Sequence, residues 1–254
     1  MEHRGDESRG WGGTSPATVR NAILVMVSLA AGCVDAVGYL GLGQIFVANM
    51  TGNTILLGLA LGQAKGQAAL RAVVALAGFI VGVGAGAAIV GREPERSTWS
   101  PGVTAALVLE LIVLVAFAVG WFLAGAEPDG REVYPLIVLP ALAMGVQSAA
   151  VRRLGIPGVA TTYITGTLTD LTEGAIARLR PAVAGAISNE VSSERETPSA
   201  RGLVLPADVW LAYGIGAVIV GILAVWWPSG VLTVPVGVVA LVVATATVRF
   251  HRRR

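Results

Sequence analysis

The sequence predicts an all-α polytopic membrane protein built from two internal repeats, with six spanning helices and two re-entrant half-helices. Three observations predict it. The 254-residue chain is 54% apolar and 13% charged, about half the charge of a soluble domain. Apolar runs of spanning length recur along it. A polar Thr-Gly element occurs twice in similar surroundings, as FVANMTGNTILLGLAL around Thr51-Gly52 and VATTYITGTLTDLTEG around Thr165-Gly166. Two copies of one unit, each with a glycine-containing polar interruption, are a sequence pointer to a transporter whose site lies where the repeats meet.

The elements follow in order. Residues 1–20 are polar, lack a small-residue cleavage signature, and read as a disordered cytoplasmic tail. A single membrane domain covers 21–250, with repeat one at 21–125 and repeat two at 134–250. Apolar segments fall at 21–42, 45–63, 72–91, 102–125, 134–151, 158–177, 207–227 and 230–249. The stretch 178–206 is rich in Ser, Glu and Pro and reads as an exposed polar loop.

Two topologies compete. Either all eight segments cross, or 45–63 and 158–177 enter and return, leaving six crossings. These two segments are the most polar: Asn49, Thr51, Asn53 and Thr54 lie in one, and Thr161, Thr162, Thr165, Thr167, Thr169, Asp170 and Glu173 in the other. A charge deep in hydrocarbon costs about 2.5–3.5 kcal/mol on insertion scales. Short helices facing protein or a water cavity avoid that cost. Six crossings are therefore expected, with eight as the alternative. Three crossings per repeat make the halves inverted; four make them parallel. Arg clusters at both ends of the chain place both termini in the cytoplasm.

The Thr-Gly centres are the first site candidates. Glycine permits a backbone break, and the first N–H groups of a new helix attract anions. Asn49, Thr51, Gly52 and Asn53 form one such element, and Tyr163, Thr165, Gly166 and Thr167 the other. Thr hydroxyls could cap these ends. The plain alternative is that the threonines back-bond within ordinary helices and the glycines serve packing. Asp35 sits in the first apolar segment near mid-depth, and an intramembrane acid is a functional candidate by default. Its counterpart region in repeat two holds Gln147 and Ser148, so the acid is not duplicated. Glu110 is a second isolated acid within an apolar segment. Asp35 and Glu110 are the candidates for proton or ion coupling; an interfacial role is the alternative for both. Gly78, Gly82 and Gly86 form a small-residue ladder, and Gly214, Ala217 and Gly221 a weaker one; both read as packing surfaces. Trp121, Trp226 and Trp227 read as interfacial anchors.

Composition excludes several classes. His3 and His251 are terminal and Cys33 stands alone, so no His-based catalysis, thiolate metal site or disulfide framework is expected. No phosphate-binding loop is present. Neither a cofactor, a metal nor an enzymatic activity is expected. The expected partners are membrane lipid and a small solute or ion, not nucleic acid, and a homo-oligomer is left open.

The run AGCVDAVGYLGLGQIFVANMTGNTILLGLALG, followed by TTYITGTL in the second half, resembles the signature of the YoaK family of bacterial membrane proteins. The resemblance extends from about residue 20 to 250. It implies a small multi-pass protein of the bacterial inner membrane with about six spans, and it supplies no substrate. Relatives often carry a basic residue shortly after each Thr-Gly, where this chain has Leu56 and Asp170, and that departure weakens an anion site. The function expected is a transporter or channel for a small solute or ion, with its site at the repeat interface. The rival expectation is a non-transporting scaffold or accessory subunit.

Overall fold

The computed structural model describes residues 15–91, 99–125, 130–155, 164–184 and 200–250. Eight α-helices lie among them: α1 (Pro16–Gly41), α2 (Met50–Gly62), α3 (Gly66–Val90), α4 (Pro101–Ala124), α5 (Val133–Arg153), α6 (Ile164–Ala184), α7 (Ala200–Trp226) and α8 (Thr233–Phe250). There is no strand among the described residues. Six helical stretches, containing α1, α3, α4, α5, α7 and α8, are long and apolar enough to cross a membrane. Helix α2 has 13 residues; at 1.5 Å per residue it reaches about 20 Å, short of the roughly 30 Å hydrocarbon core.

Local chemistry sets the helix starts. Ser15 accepts a hydrogen bond from Thr18 N–H at 3.1 Å, and Pro16 occupies the first turn. Ser100 and Pro101 repeat the arrangement at α4. A capping hydroxyl followed by proline is a strong start signal, so α1 begins inside the stretch expected as a disordered tail; residues 1–14 of that tail lie outside the described residues. The stretch expected as a loop over 178–206 is also partly helical. Helix α6 continues to Ala184 and α7 starts at Ala200, with Pro206 inside it.

Two buried clusters mark the two ends of the bundle. One joins Ile23 and Val27 of early α1, Val90 at the end of α3, Val103 and Leu107 of early α4, Val151 of late α5, Val209 of early α7 and Ala246 of late α8. The other joins Val37 of late α1, Ala75 of early α3, Phe117 and Trp121 of late α4, Val133 of early α5, Val220 of late α7 and Leu232 just before α8. At the first end the Trp99 ring stacks on Phe250, with centroids 4.7 Å apart. At the second, the Trp121 ring lies against Gly41. Helices α1, α4 and α7 therefore run one way, and α3, α5 and α8 the other. Helix α1 ends, and α3 begins, at the same end of the bundle.

Helix α1 packs on α7 and α8, α5 packs on α3 and α4, α2 lies on α3, α6 on α7, and α4 on α8. Lipid offers no hydrophobic drive between helices, so close backbone approach at small residues carries the association. A Cβ on Gly32 would overlap the Tyr213 carbonyl, and one on Gly216 the Leu29 carbonyl. Gly145 meets the Phe79 carbonyl in the same way, and Gly82 the Leu142 carbonyl. The expected ladder Gly78, Gly82 and Gly86 is the α3 face on α5. On α7 the contact residue is Gly216, because Gly214 and Gly221 have open space beside them. Trp226 and Trp227 are exposed, whereas Trp121 is buried with its ring edge-on to Phe117, so it is a core residue rather than an anchor.

Candidate functional site

Beyond α1 the chain turns back along the helix it has just left. Leu42 closes α1, and Gly43 and Gln44 take positive φ. The Ile45 carbonyl then passes so close to Gly38 that a side chain there would collide with it. Residues 47–49 reach the level of Asp35. The reversal brings the backbone N–H groups of Val47, Ala48 and Asn49 onto the Asp35 carboxylate. Val47 and Ala48 donate to Oδ1 at 2.7 and 2.6 Å, and Asn49 donates to Oδ2 at 3.1 Å. The Tyr213 hydroxyl of α7 donates to Oδ2 as well. Asp35 is 3% exposed, so its charge is held by directed donors rather than by water, the condition under which a buried acid is tolerated.

The residues around Thr51-Gly52 lock this segment. Asn49 caps α2 by accepting from Gly52 N–H at 3.1 Å. Asn53 is fully buried and grips the Phe46 backbone on both sides. It accepts from Phe46 N–H at 2.9 Å and donates to the Phe46 carbonyl at 2.6 Å. The Phe46 ring covers Gly52, where a Cβ would intrude, and stacks on Tyr39 with centroids 5.5 Å apart. The cap is thus Asn49 and not a threonine. Thr51 is exposed, and Thr54 back-bonds to the Met50 carbonyl at 2.9 Å. In the first turn of α2 the Gly52 N–H is taken by the Asn49 side chain, and the N–H groups just before it, those of Val47, Ala48 and Asn49, are taken by Asp35.

The second Thr-Gly element lies in the first turn of α6. Thr165 is exposed, Gly166 half-buried and Thr167 buried. Thr169 donates to the Thr165 carbonyl at 3.1 Å, and Thr172 to the Leu168 carbonyl at 2.8 Å. These are the back-bonds of an ordinary helix. Tyr163 lies outside the described residues. Gln147, fully buried on α5, donates to the Val27 carbonyl of α1 at 3.1 Å and so ties the two halves together. Ser148 follows it, half-buried.

Glu110 stands apart. It is fully buried on α4, and neither carboxyl oxygen has a hydrogen-bond partner among the described residues. Of the expected site residues, Asp35, Asn49, Gly52 and Asn53 come together, and Tyr213 and Phe46 join them. The sequence reading missed both aromatics. Tyr213 is a phenol within an apolar helix, and such a hydroxyl needs a partner; that was the available signal.

A family model described as a protein of unknown function, DUF1275, matches residues 23–245. The UPF0700 transmembrane protein YoaK of Bacillus subtilis (strain 168) is 36% identical over 233 residues, covering 92% of this chain and 96% of that relative. No solved structure matches.

Proposed function

The chain belongs to the DUF1275, or YoaK, family of transmembrane proteins, and we propose that it passes a small solute or ion through the seam between two inverted repeats. The observation that carries this reading is the α2 element. A short helix starts inside the bundle, and the segment leading into it is held by a buried carboxylate exactly where α1 of one half meets α7 of the other. Irregular backbone at membrane depth is tolerated where it is buried in protein or lines a water-filled cavity, and transporters place their sites at such broken helices.

The packing supports inversion. Exchanging α1–α4 for α5–α8 turns the α1·α7 contact into α5·α3, α1·α8 into α5·α4 and α2·α3 into α6·α7, and leaves α4·α8 in place. The same exchange carries Gly32 against the Tyr213 carbonyl onto Gly145 against the Phe79 carbonyl, and Gly216 against Leu29 onto Gly82 against Leu142. Helices α1 and α5, the first of each half, point in opposite directions, and α2 is re-entrant because its neighbours start and end at one face. Under this correspondence Asp35 matches Ser148 and Tyr213 matches Phe79. Among the described residues the carboxylate clamp is seen in the first half, with Ser148 at the position that corresponds to Asp35. Arg20, Arg152, Arg153 and Arg249 lie at one end of the bundle, and this end, with both termini, is cytoplasmic.

One observation favours a second reading, a non-transporting scaffold: Asp35, Asn49 and Asn53 spend their hydrogen bonds within the chain. Flux into proteoliposomes separates the two. Wild-type protein should move at least one small solute or ion, and Asp35→Asn should change its rate. Absence of flux across a broad panel, with properly folded protein, favours the scaffold.

A further inference from the structure

Among the described residues, Glu110 is the buried acid that the clamp does not use. It lies on the buried stripe of α4 that includes Leu107, Leu114 and Phe117. The Leu136 side chain lies beside Gly120, and Trp99 stacks on Phe250. These two contacts fix the antiparallel register and put Glu110 level with Val146 of α5 and Val239 of α8, both fully buried. On α3 it is Gly86 that lies against Val146, while Gly82 lies against Leu142. The titratable and charged groups on the three helices packed against α4 lie towards the helix ends: Arg71 on α3, Tyr134, Arg152 and Arg153 on α5, and Arg249 on α8. Arg152, the nearest of these in register, is about 9 Å further along the axis at 1.5 Å per residue, and it is exposed.

An unpaired carboxylate in such a place costs several kcal/mol, because neither water nor a counter-charge offsets its lost hydration. Replacing it with an apolar residue would fill the seam without that cost. The acid is therefore kept for what an acid can bind. A metal cation needs several oxygen ligands. No cluster of metal-ligating side chains occurs among the described residues.

We propose that Glu110 is a proton-binding site, loaded from water on one side of the membrane and unloaded to the other as the α4·α5·α8 seam rearranges. On loading, a carboxylate oxygen forms an O–H bond with a proton delivered by hydronium, leaving water. On unloading the bond breaks and the proton returns to water, and no electrons are transferred. The proton thereby becomes the coupling ion of the proposed transport, and that last step rests on the transport reading.

The test treats full-length protein in proteoliposomes with dicyclohexylcarbodiimide, an apolar reagent that modifies protonated carboxyls, and locates adducts by mass spectrometry. Proton uptake is followed in parallel with a pH-sensitive dye inside the vesicles. The adduct is expected on Glu110, stronger in acidic than in alkaline buffer, absent in Glu110→Gln and absent from Asp35. Proton uptake is expected in wild type and lost in Glu110→Gln. No adduct on Glu110 in either buffer, or undiminished uptake in Glu110→Gln, overturns the proposal. A pH-dependent adduct without proton movement by wild type keeps the proton site and removes transport instead. Solute flux with an unmodified Glu110 does the reverse.

Discussion

Removing the Asp35 carboxylate should nearly unfold the protein, because four donors converge on it. In Asp35→Ala the N–H groups of Val47, Ala48 and Asn49 lose their acceptor within a buried reversal that water cannot easily reach. A buried donor left unsatisfied costs about 1–3 kcal/mol, so the three together cost about 3–9 kcal/mol. Native stabilities lie around 5–15 kcal/mol, so the variant would sit close to the threshold. Tyr213→Phe is the graded comparison. It removes a single hydrogen bond to a charged group, worth about 1.5–3 kcal/mol, and leaves ring packing intact; the proposed counterpart position in the other half is Phe79. Because the Tyr213 hydroxyl acts through Asp35, the double variant should be scarcely worse than Asp35→Ala, giving a coupling energy of about 1.5–3 kcal/mol. Equilibrium unfolding of all four proteins in a mild detergent measures this, and hydrogen exchange over 42–49 reports whether the reversal has opened. If both single variants unfold within about 0.5 kcal/mol of wild type, or if their effects simply add, the carboxylate does not hold the segment and the reasoning fails.

Other outcomes follow from the same geometry. Asn53→Ala leaves both the N–H and the carbonyl of Phe46 without their partner, so it should cost about 2–6 kcal/mol and expose the 42–49 segment to protease; unchanged digestion would show that Asn53 is dispensable. Gly82→Leu drives a side chain into the Leu142 carbonyl. It should separate α3 from α5 and sharply lower the thermal midpoint, whereas Gly84→Leu, with open space beside Gly84, should be tolerated. Asn49→Ala removes the α2 cap and should cost about 0.5–2 kcal/mol in unfolding experiments.

The sequence made the apolar, helical character of the chain and the odd character of the MTGN element readable, because hydropathy marks the first and a polar run within an apolar chain marks the second; of its eight apolar segments, six correspond to helices long and apolar enough to span a membrane. It also singled out Asp35 and Glu110, since an acid is conspicuous in that background. The partners that Asp35 finds were not legible. Tyr213 and Asp35, 178 positions apart in the chain, are brought together by the α1·α7 contact, which depends on Gly32 and Gly216 meeting backbone of the facing helix. The segment 42–49 reads as apolar helix by hydropathy, yet the positive φ at Gly43 and Gln44 turns it back, and Asp35 supplies the hydrogen bonds that helix would have provided. Periodicity carries no trace of such a long-range acceptor. The start of α1 at Pro16 was legible through Ser15-Pro16 but was outweighed by the polar composition of the tail. The end of α6 was outweighed in the same way by the polar stretch that follows it.

The proposed inverted arrangement of the two halves underlies the transport reading, and side-specific cysteine labelling tests it most directly. Single cysteines at Ser15, Lys65, Ser100, Gly130 and Gly155, in a Cys33→Ser background, would be exposed to an impermeant thiol reagent from outside the cell. Inverted halves with six crossings predict labelling at 65 and 130 and protection at 15, 100 and 155. Labelling at 100 and 155, with 15, 65 and 130 protected, would mean eight crossings and parallel halves, and would contradict the account.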